Sequence, residues 1–254
     1  MTHRILILGG TTEARQLAGR LAARNDLVVT LSLAGRTREP AAQPVPVRSG
    51  GFGGAEGLAA YLRGEGISLL IDATHPYAAR ISANAVRAAA MTGVPILRLD
   101  REAWRPAEGD RWLTVTDADD ALRALGEVPR RVFLALGRQE VAAFQHAPQH
   151  FYLIRSVDPI EPPLAVPDAV YVLGRGPFEE AGELKLLKAH RIDAIVCKNS
   201  GGTASYGKLL AARRLDIPVV MLRRPDEPAV PKAESVETAL ALVDHVLASA
   251  KRGE

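Results

Sequence analysis

Short apolar runs alternate with stretches of helical periodicity along the whole chain. In its first part the runs Ile5–Leu8, Leu27–Leu31, Val45–Arg48, Leu69–Asp72 and Ile96–Leu99 predict strands. Between them, Glu13–Ala23, Ala55–Gly64 and Ala78–Thr92 predict helices. Unbroken apolar runs of this length suit strands covered on both faces. The pattern breaks at Glu102–Arg111 (EAWRPAEGDR), where Pro, Gly and charge predict a linker. A second series follows, with strands predicted at Leu113–Val115, Val132–Ala135, Phe151–Ile154, Ala169–Val172, Ala194–Cys197 and Val219–Leu222. Its helices are predicted at Asp117–Leu125, Gln139–Phe144, Glu179–His190, Tyr206–Arg214 and Ser235–Lys251, with Asp117 and Ser235 as N-caps. The expectation is an α/β protein with two domains, 1–101 and 102–254, each a parallel sheet with helices on both faces. A cleft between the domains is the expected place for ligands.

Composition narrows the class. The 254 residues are 47% hydrophobic, and no apolar run approaches the length of a membrane span. The opening MTHR leads straight into the first strand, so no signal peptide and a cytoplasmic address are expected. Cys197 is the only cysteine, which excludes an internal disulfide and a cysteine-based metal cluster. It reads as a buried strand residue. The net charge is +3, and only six of the 32 basic residues are Lys. The Arg residues are scattered, which argues against a nucleic-acid arm and suits a small ligand rich in carboxylate or phosphate. A GC-rich genome would give the same bias.

Six places carry chemistry. The first strand runs into Gly9-Gly10-Thr11-Thr12-Glu13, a tight turn and a helix start. Free N–H groups and a partial positive charge at a helix N-terminus attract phosphate. The spacing Gly9-x-Thr11-x-x-Ala14 meets the dinucleotide fingerprint only in its first and last places, and a plain strand-to-helix turn reads the same way. After the second strand, Ser32 and Arg36 stand where an NAD-binding protein usually has an acid for the ribose 2′-OH. Hydroxyls and an Arg favour NADP(H), against the alternative of an ordinary basic loop. Ser49-Gly50-Gly51-Phe52-Gly53-Gly54 would let the backbone approach a ligand at Gly51 and Gly53, or is a flexible loop. Asp72-Ala73-Thr74-His75-Pro76-Tyr77-Ala78 ends a buried strand, with Pro76 near the first position of a helix. His75 and Tyr77 there could meet a nicotinamide or give a proton. No second His has metal spacing nearby, and no metal is expected. Further on, Gly174-Arg175-Gly176-Pro177-Phe178 precedes an acidic helix start. Lys198-Asn199-Ser200-Gly201-Gly202-Thr203 ends another strand with a cation, hydroxyls and backbone N–H groups suited to a phosphate or carboxylate.

Taken together, these pieces resemble the precorrin-6A reductases of cobalamin biosynthesis. The resemblance rests on ILGGTTEAR (Ile7 to Arg15), the SGGFGG loop, DATHPYA (Asp72 to Ala78), GRGPF (Gly174 to Phe178), KNSGG (Lys198 to Gly202), K-L-x-A-A-R (Lys208 to Arg213) and Ile217-Pro218. They fall in order over most of the chain. The resemblance implies two Rossmann-like domains, NADPH as cofactor, and reduction of a double bond in the precorrin-6A macrocycle by hydride transfer to C19, giving precorrin-6B. It places Gly9, Gly10, Thr11, Thr12 and Glu13 at the pyrophosphate and Ser32 and Arg36 at the adenosine phosphate. Thr74, His75 and Pro76 would lie by the nicotinamide. Lys198, Ser200, Gly201, Thr203 and Lys208 would complete the cofactor site from the other domain. Tyr77, His75 and Lys198 are the candidate proton donors, with solvent as another. The polycarboxylate tetrapyrrole would suit Arg side chains, which grip carboxylates with two parallel hydrogen bonds. Arg80, Arg101, Arg138 and Arg175, with Arg98 and Arg155, are the candidates near strand ends or the linker, and Tyr77 would also touch substrate. A monomer without nucleic-acid or membrane partners is expected.

Three rivals stand beside this reading. A non-enzymatic NADP(H) sensor would need no second set of strand-end motifs. A reductase of small carbonyls often carries Tyr-x-x-x-Lys, whereas Tyr77 is followed four residues on by Ile81. A phosphate-transfer enzyme would want paired carboxylates for Mg²⁺, and Asp72 has no evident partner in the sequence.

Overall fold

The computed structural model describes residues 2–35 and 41–250. The chain divides into two compact units, Met1–Arg101 with Pro225–Glu254, and Glu102–Arg224.

The first unit begins with β1 (His3–Leu8), α1 (Thr12–Ala22), β2 (Leu27–Leu33), β3 (Val47–Ser49), α2 (Ala55–Gly64), β4 (Leu69–Asp72), α3 (Ala79–Thr92) and β5 (Ile96–Leu99). Successive side chains of a strand face opposite sides of its sheet. Ile5 and Ile7 of β1 therefore pack with Leu17 and Leu21 of α1. Leu6 and Leu8 pack on the other face with Leu58 and Leu62 of α2 and Ala85 and Ala88 of α3. Burial on both faces is why the strand reads as an unbroken apolar run. α1 buries Ala14, Leu17, Ala18 and Leu21, one helical stripe.

The second unit holds β6 (Trp112–Val115), α4 (Ala118–Leu125), β7 (Arg131–Ala135), α5 (Arg138–Val141) running into a 3₁₀ turn (Ala142–His146), and β8 (Phe151–Ser156). It continues with β9 (Ala169–Leu173), α6 (Glu180–Ala189), β10 (Ala194–Lys198), α7 (Gly207–Arg214) and β11 (Val219–Leu222). Asp117 caps α4 by accepting from the Asp120 N–H at 2.9 Å. The chain then returns to the first unit as β12 (Lys232–Ala233) and α8 (Val236–Ala250). Ser235 accepts from the Thr238 N–H at 3.1 Å, as a helix N-cap does.

Both sheets are six-stranded, with orders β12-β5-β4-β1-β2-β3 and β6-β11-β10-β7-β8-β9. Among the described residues every strand pairing is parallel. The order reverses at β1, between β2 and β4, and at β7, between β8 and β10. Both are doubly wound, Rossmann-like α/β units, and such sheets take ligands above the strand carboxyl ends where the order reverses. Among the described residues no helix is long and apolar enough to cross a membrane.

Three expectations shift. A second domain running to residue 254 is not what forms. β12 pairs with β5 (Lys232↔Arg98, Ala233↔Leu99), and α8 puts Ala239, Val243 and Leu247 into the first unit's core. β3 starts at Val47 because Pro46 has no N–H to give the ladder; its carbonyl accepts from Leu31 N–H at 3.0 Å. α3 starts at Ala79, so Pro76 lies ahead of the helix in a turn closed by the Ala78 N–H donating to His75 O at 2.7 Å.

Candidate functional site

At the end of β1 the chain turns through Gly9 and Gly10. The Gly9 N–H donates to Ser32 O at 2.9 Å. A Cβ on Gly9 would lie 2.6 Å from Leu31 Cδ1, so the turn hugs β2. Gly10 has φ +120°, and a Cβ there would meet open space. Only glycine gives this conformation without strain, and it leaves bare backbone for a ligand. The Thr11 hydroxyl accepts from the Ala14 N–H at 3.1 Å and donates to Ala73 O at 2.9 Å. The second bond joins the β1–α1 turn to the end of β4, across the reversal of strand order. The first-turn N–H groups of Thr12 and Glu13 have no intrahelical acceptor. Bare backbone and a helix N-terminus at the reversal point fit a pyrophosphate. Glu13 would oppose an anion there, but Arg101 holds its carboxylate at 3.3 Å. Ser32 is buried at the end of β2. Arg36, expected beside it, lies outside the described residues.

The glycine loop after β3 is a built structure. Gly50, Gly53 and Gly54 take φ values of +103°, +79° and +101°. Arg48 donates to Gly50 O at 2.6 Å and Gly51 O at 2.7 Å. Its guanidinium lies 3.7 Å from the Phe52 ring centroid and 5.3 Å from that of Tyr61. A Cβ on Gly57 would come within 1.7 Å of Phe52 O, so α2 can start here only with glycine.

β4 ends in a buried polar knot. Asp72 Oδ1 accepts from Thr74 N at 3.1 Å and Thr74 Oγ1 at 2.7 Å. Arg98 Nη1 donates to Asp72 Oδ2 at 2.6 Å and to Ser82 Oγ at 2.8 Å. Beyond the knot, His75 Nδ1 accepts from the Tyr77 N–H at 3.3 Å. Nδ1 is the acceptor in that bond, so Nε2 is the ring nitrogen left to exchange a proton. The two rings sit 5.7 Å apart, both half-buried. A cleft of about 260 Å³ beside them is lined by Pro76, Ser82, Arg98 and the segment Asp226–Pro228. Burial there pushes the Glu227 carboxyl up, but hydrogen bonds with Lys232 and Asp100 outweigh it and hold the group below its usual range. A larger hollow of about 700 Å³, between Arg15, Arg20, Gln43 and Glu237, contains none of the residues expected from the sequence to bind ligand.

In the second unit Lys198 ends β10 and meets Glu140 of α5 at 2.6 Å, again spanning the reversal of strand order. The loop that follows is stapled by Trp104. Its N–H donates to Asn199 Oδ1 at 2.8 Å, its carbonyl accepts from Asn199 Nδ2 at 2.9 Å, and its indole N–H donates to Gly202 O at 2.7 Å. The expected linker is thus anchored at Trp104. Ser200 N–H donates to Lys198 O at 3.0 Å, and Gly201 and Gly202 take φ values of +68° and +66°. Lys208 is buried; its ammonium donates to Ser205 O at 2.6 Å and lies 4.5 Å from the Trp104 ring centroid. Burial lowers its pKa. The GRGPF loop packs on the same segment, with the Phe178 N–H donating to Ala204 O at 2.9 Å. Arg155 stacks 3.7 Å from the Phe178 ring centroid and pairs with Glu183. Cys197 is fully buried, which pushes its thiol pKa up.

The family model described as precorrin-6x reductase CbiJ/CobK matches residues 4–244. The chain belongs to this family. A precorrin-6A reductase of Sinorhizobium sp is 56% identical over 247 residues, 97% of this chain and 95% of the relative. One of Rhodobacter capsulatus is 50% identical over 243 residues, 95% of this chain and 96% of the relative. A solved structure described as CobK precorrin-6A reductase shares 48% identity and superposes with a TM-score of 0.92, covering 97% of each chain. Membership makes the protein a reductase.

The precorrin-6x reductase scaffold gathers Gly9–Glu13, Ser32, Gly51, Gly53, Thr74, His75, Pro76, Tyr77 and Arg101 at the carboxyl ends of the first sheet or in the loops leaving it. Lys198, Ser200, Gly201, Thr203 and Arg138 gather in the same way on the second sheet. Arg80, Arg138 and Arg175 are exposed. Arg98 and Arg155 go to the protein carboxylates Asp72 and Glu183 instead of standing open for substrate. The sequence reading overlooked Arg48, Gly57 and Trp104. Gly57 had a signal, a glycine in the first turn of a helix. The other two act through loops that only the fold brings near. Among the described residues no three His, Cys, Asp or Glu side chains could hold a metal ion together.

Proposed function

We propose that the protein is an NADPH-dependent precorrin-6A reductase, reducing a double bond of the macrocycle to give precorrin-6B in cobalamin biosynthesis. The observation that carries this reading is the 56% identity, over 97% of the chain, to a protein named precorrin-6A reductase. The relatives reported above are named for precorrin-6A itself, and the cobalt-free macrocycle is the substrate proposed. NADPH would supply the hydride, delivered at C19.

The chain's own part is binding, orientation and proton handling. Gly10, Thr11 and the amides of Thr12 and Glu13 would hold the pyrophosphate, with Arg101 neutralising Glu13. Ser32 and Arg36 would meet the adenosine phosphate. Thr74, His75 and Pro76 would lie along the nicotinamide. His75, through Nε2, and the hydroxyl of Tyr77 are two groups able to hold a proton for the carbon next to C19. Lys198 is the third, its ammonium kept in place by Glu140. Arg80, Arg138 and Arg175 are the cations proposed for the substrate's carboxylates, since Arg101 is engaged by Glu13.

The test is anaerobic mixing of the protein with NADPH and precorrin-6A, following NADPH absorbance and the tetrapyrrole bands together. Coupled loss of NADPH and a shift of the bands, slower with NADH, is the expected result. Tight NADPH binding without turnover of precorrin-6A would sink the substrate half of the proposal.

A further inference from the structure

We propose that Arg98 is a positioning residue for the cofactor crevice of the first unit, setting the Asp72 carboxylate and through it the turn that carries Thr74, His75 and Tyr77. The inference rests on the reading of that crevice as the NADPH site.

Arg98 and Asp72 are each only 2% exposed. Taking both charges out of water is costly, and an apolar pair of similar volume would hold two strands as well or better. Nor do the strands need the ion pair. β4 and β5 are already joined by their backbone ladder, Leu70↔Ile96, Ile71↔Leu97 and Asp72↔Arg98. What the charges add is direction. Asp72 Oδ2 is taken by Arg98 Nη1 at 2.6 Å, which leaves Oδ1 for the Thr74 N–H at 3.1 Å and the Thr74 hydroxyl at 2.7 Å. An Asp side chain accepting from the N–H two residues on makes an Asx turn, which bends the chain as it leaves β4.

The same guanidinium reaches three elements. Nη1 also donates to Ser82 Oγ of α3 at 2.8 Å, and Nη2 lies 3.6 Å from Asp100 Oδ2 just past β5. A planar fork can serve acceptors spread in this way, and a Lys ammonium on its flexible stem cannot. On the far side of the turn, Ala73 donates its N–H to Leu8 O at 2.9 Å and accepts from Thr11 Oγ1 at 2.9 Å. The direction set by Arg98 therefore passes through Asp72 and the Ala73–Thr74 backbone to the Gly9–Thr11 turn. Nothing in the proposed chemistry touches Arg98 itself.

The experiment is a double-mutant cycle read by NADPH dissociation constants, with thermal melting as the control for folding. Arg98→Lys keeps the charge and loses the fork; Thr74→Val removes the hydroxyl that Asp72 holds. Arg98→Lys is expected to weaken NADPH about tenfold, within the coupling range of residues in one network. The double variant should then bind no more weakly than the worse single one. Multiplying effects would show that Arg98 does not act through Thr74 and would overturn the proposal. Should Arg98→Lys not fold, Arg98→Met with Asp72→Asn and Asp100→Asn removes the three buried charges together. That triple variant is expected to melt near the wild type yet bind NADPH about tenfold more weakly, because the residue-72 amide is no longer aimed. Unchanged affinity in a folded triple variant would make the knot merely structural. No NADPH binding by the wild type would remove the cofactor reading itself and this inference with it.

Discussion

A methyl group on Gly57 would sit 1.7 Å from the Phe52 carbonyl oxygen, at the foot of the glycine loop. Gly57→Ala is therefore expected to cost about 2 kcal/mol, the scale of overpacking in a closed site, and, with Gly51 and Gly53 read as cofactor contacts, to weaken NADPH by shifting the loop. Urea denaturation and a cofactor titration check the two halves. Arg36→Ala should weaken NADPH far more than NADH; equal loss for both would remove the 2′-phosphate role. His150 offers a test by pH. Burial lowers its pKa below the ordinary 6.5, with Arg130 adding to the effect, while the Arg130 N–H donates to its Nδ1 at 3.1 Å. The unfolded chain then takes up the proton more readily than the folded one. The contribution of the neutral ring is complete above 6.5 and is lost as pH falls below it toward the folded value. Melting temperatures from about pH 7 to about pH 5 should fall, and His150→Gln should flatten that fall. At this scale the sequence shows charges but not their partners. Arg98 and Arg155 look like any Arg near a strand end, and only the fold reveals Asp72 and Glu183 beside them.

Arg155 of β8 and Glu183 of α6 hold a strand and a helix together through a pair of buried charges. Arg155→Met alone should cost about 3 kcal/mol, because Glu183 is left buried and unpaired. Adding Glu183→Leu should recover most of that loss in urea melts. A double variant no more stable than the single one would show that the ion pair itself is needed. Elements were largely legible beforehand, for a reason visible in β4 and β5. β4 is apolar up to its last residue, β5 carries a single polar residue, Arg98, and their observed bounds, Leu69–Asp72 and Ile96–Leu99, are the expected ones. β12 is two residues long and opens with Lys232, so no periodicity could announce it. The turn at Gly9 was legible as backbone chemistry. Its link to Ala73 was not, because the partners lie 62 residues apart.

The two units repeat one strand order around β1 and β7, yet they are built differently along the chain. The second is one continuous stretch, Glu102–Arg224; the first needs Pro225–Glu254 to complete its core. A fragment of residues 102–224 is expected to fold alone, with a single cooperative transition in urea. A chain ending at Arg224 should keep that transition and lose the one belonging to the first unit, as circular dichroism and proteolysis would show. The apolar face of α8 was plain in the sequence, but a helical stripe declares that it will be buried and not against which sheet.

Synthesis on the ribosome runs through this arrangement in one direction. Met1–Arg101 emerges early, but the helix that covers α1 and the strand that pairs with β5 come off last. Through the whole translation of Glu102–Arg224, a nascent first unit offers water an uncovered apolar face and an unpaired strand edge. The later part can mature before the earlier one. Slower translation over that stretch lengthens the exposure, and the harm would show as aggregation of unfinished chains while each completed molecule remained normal.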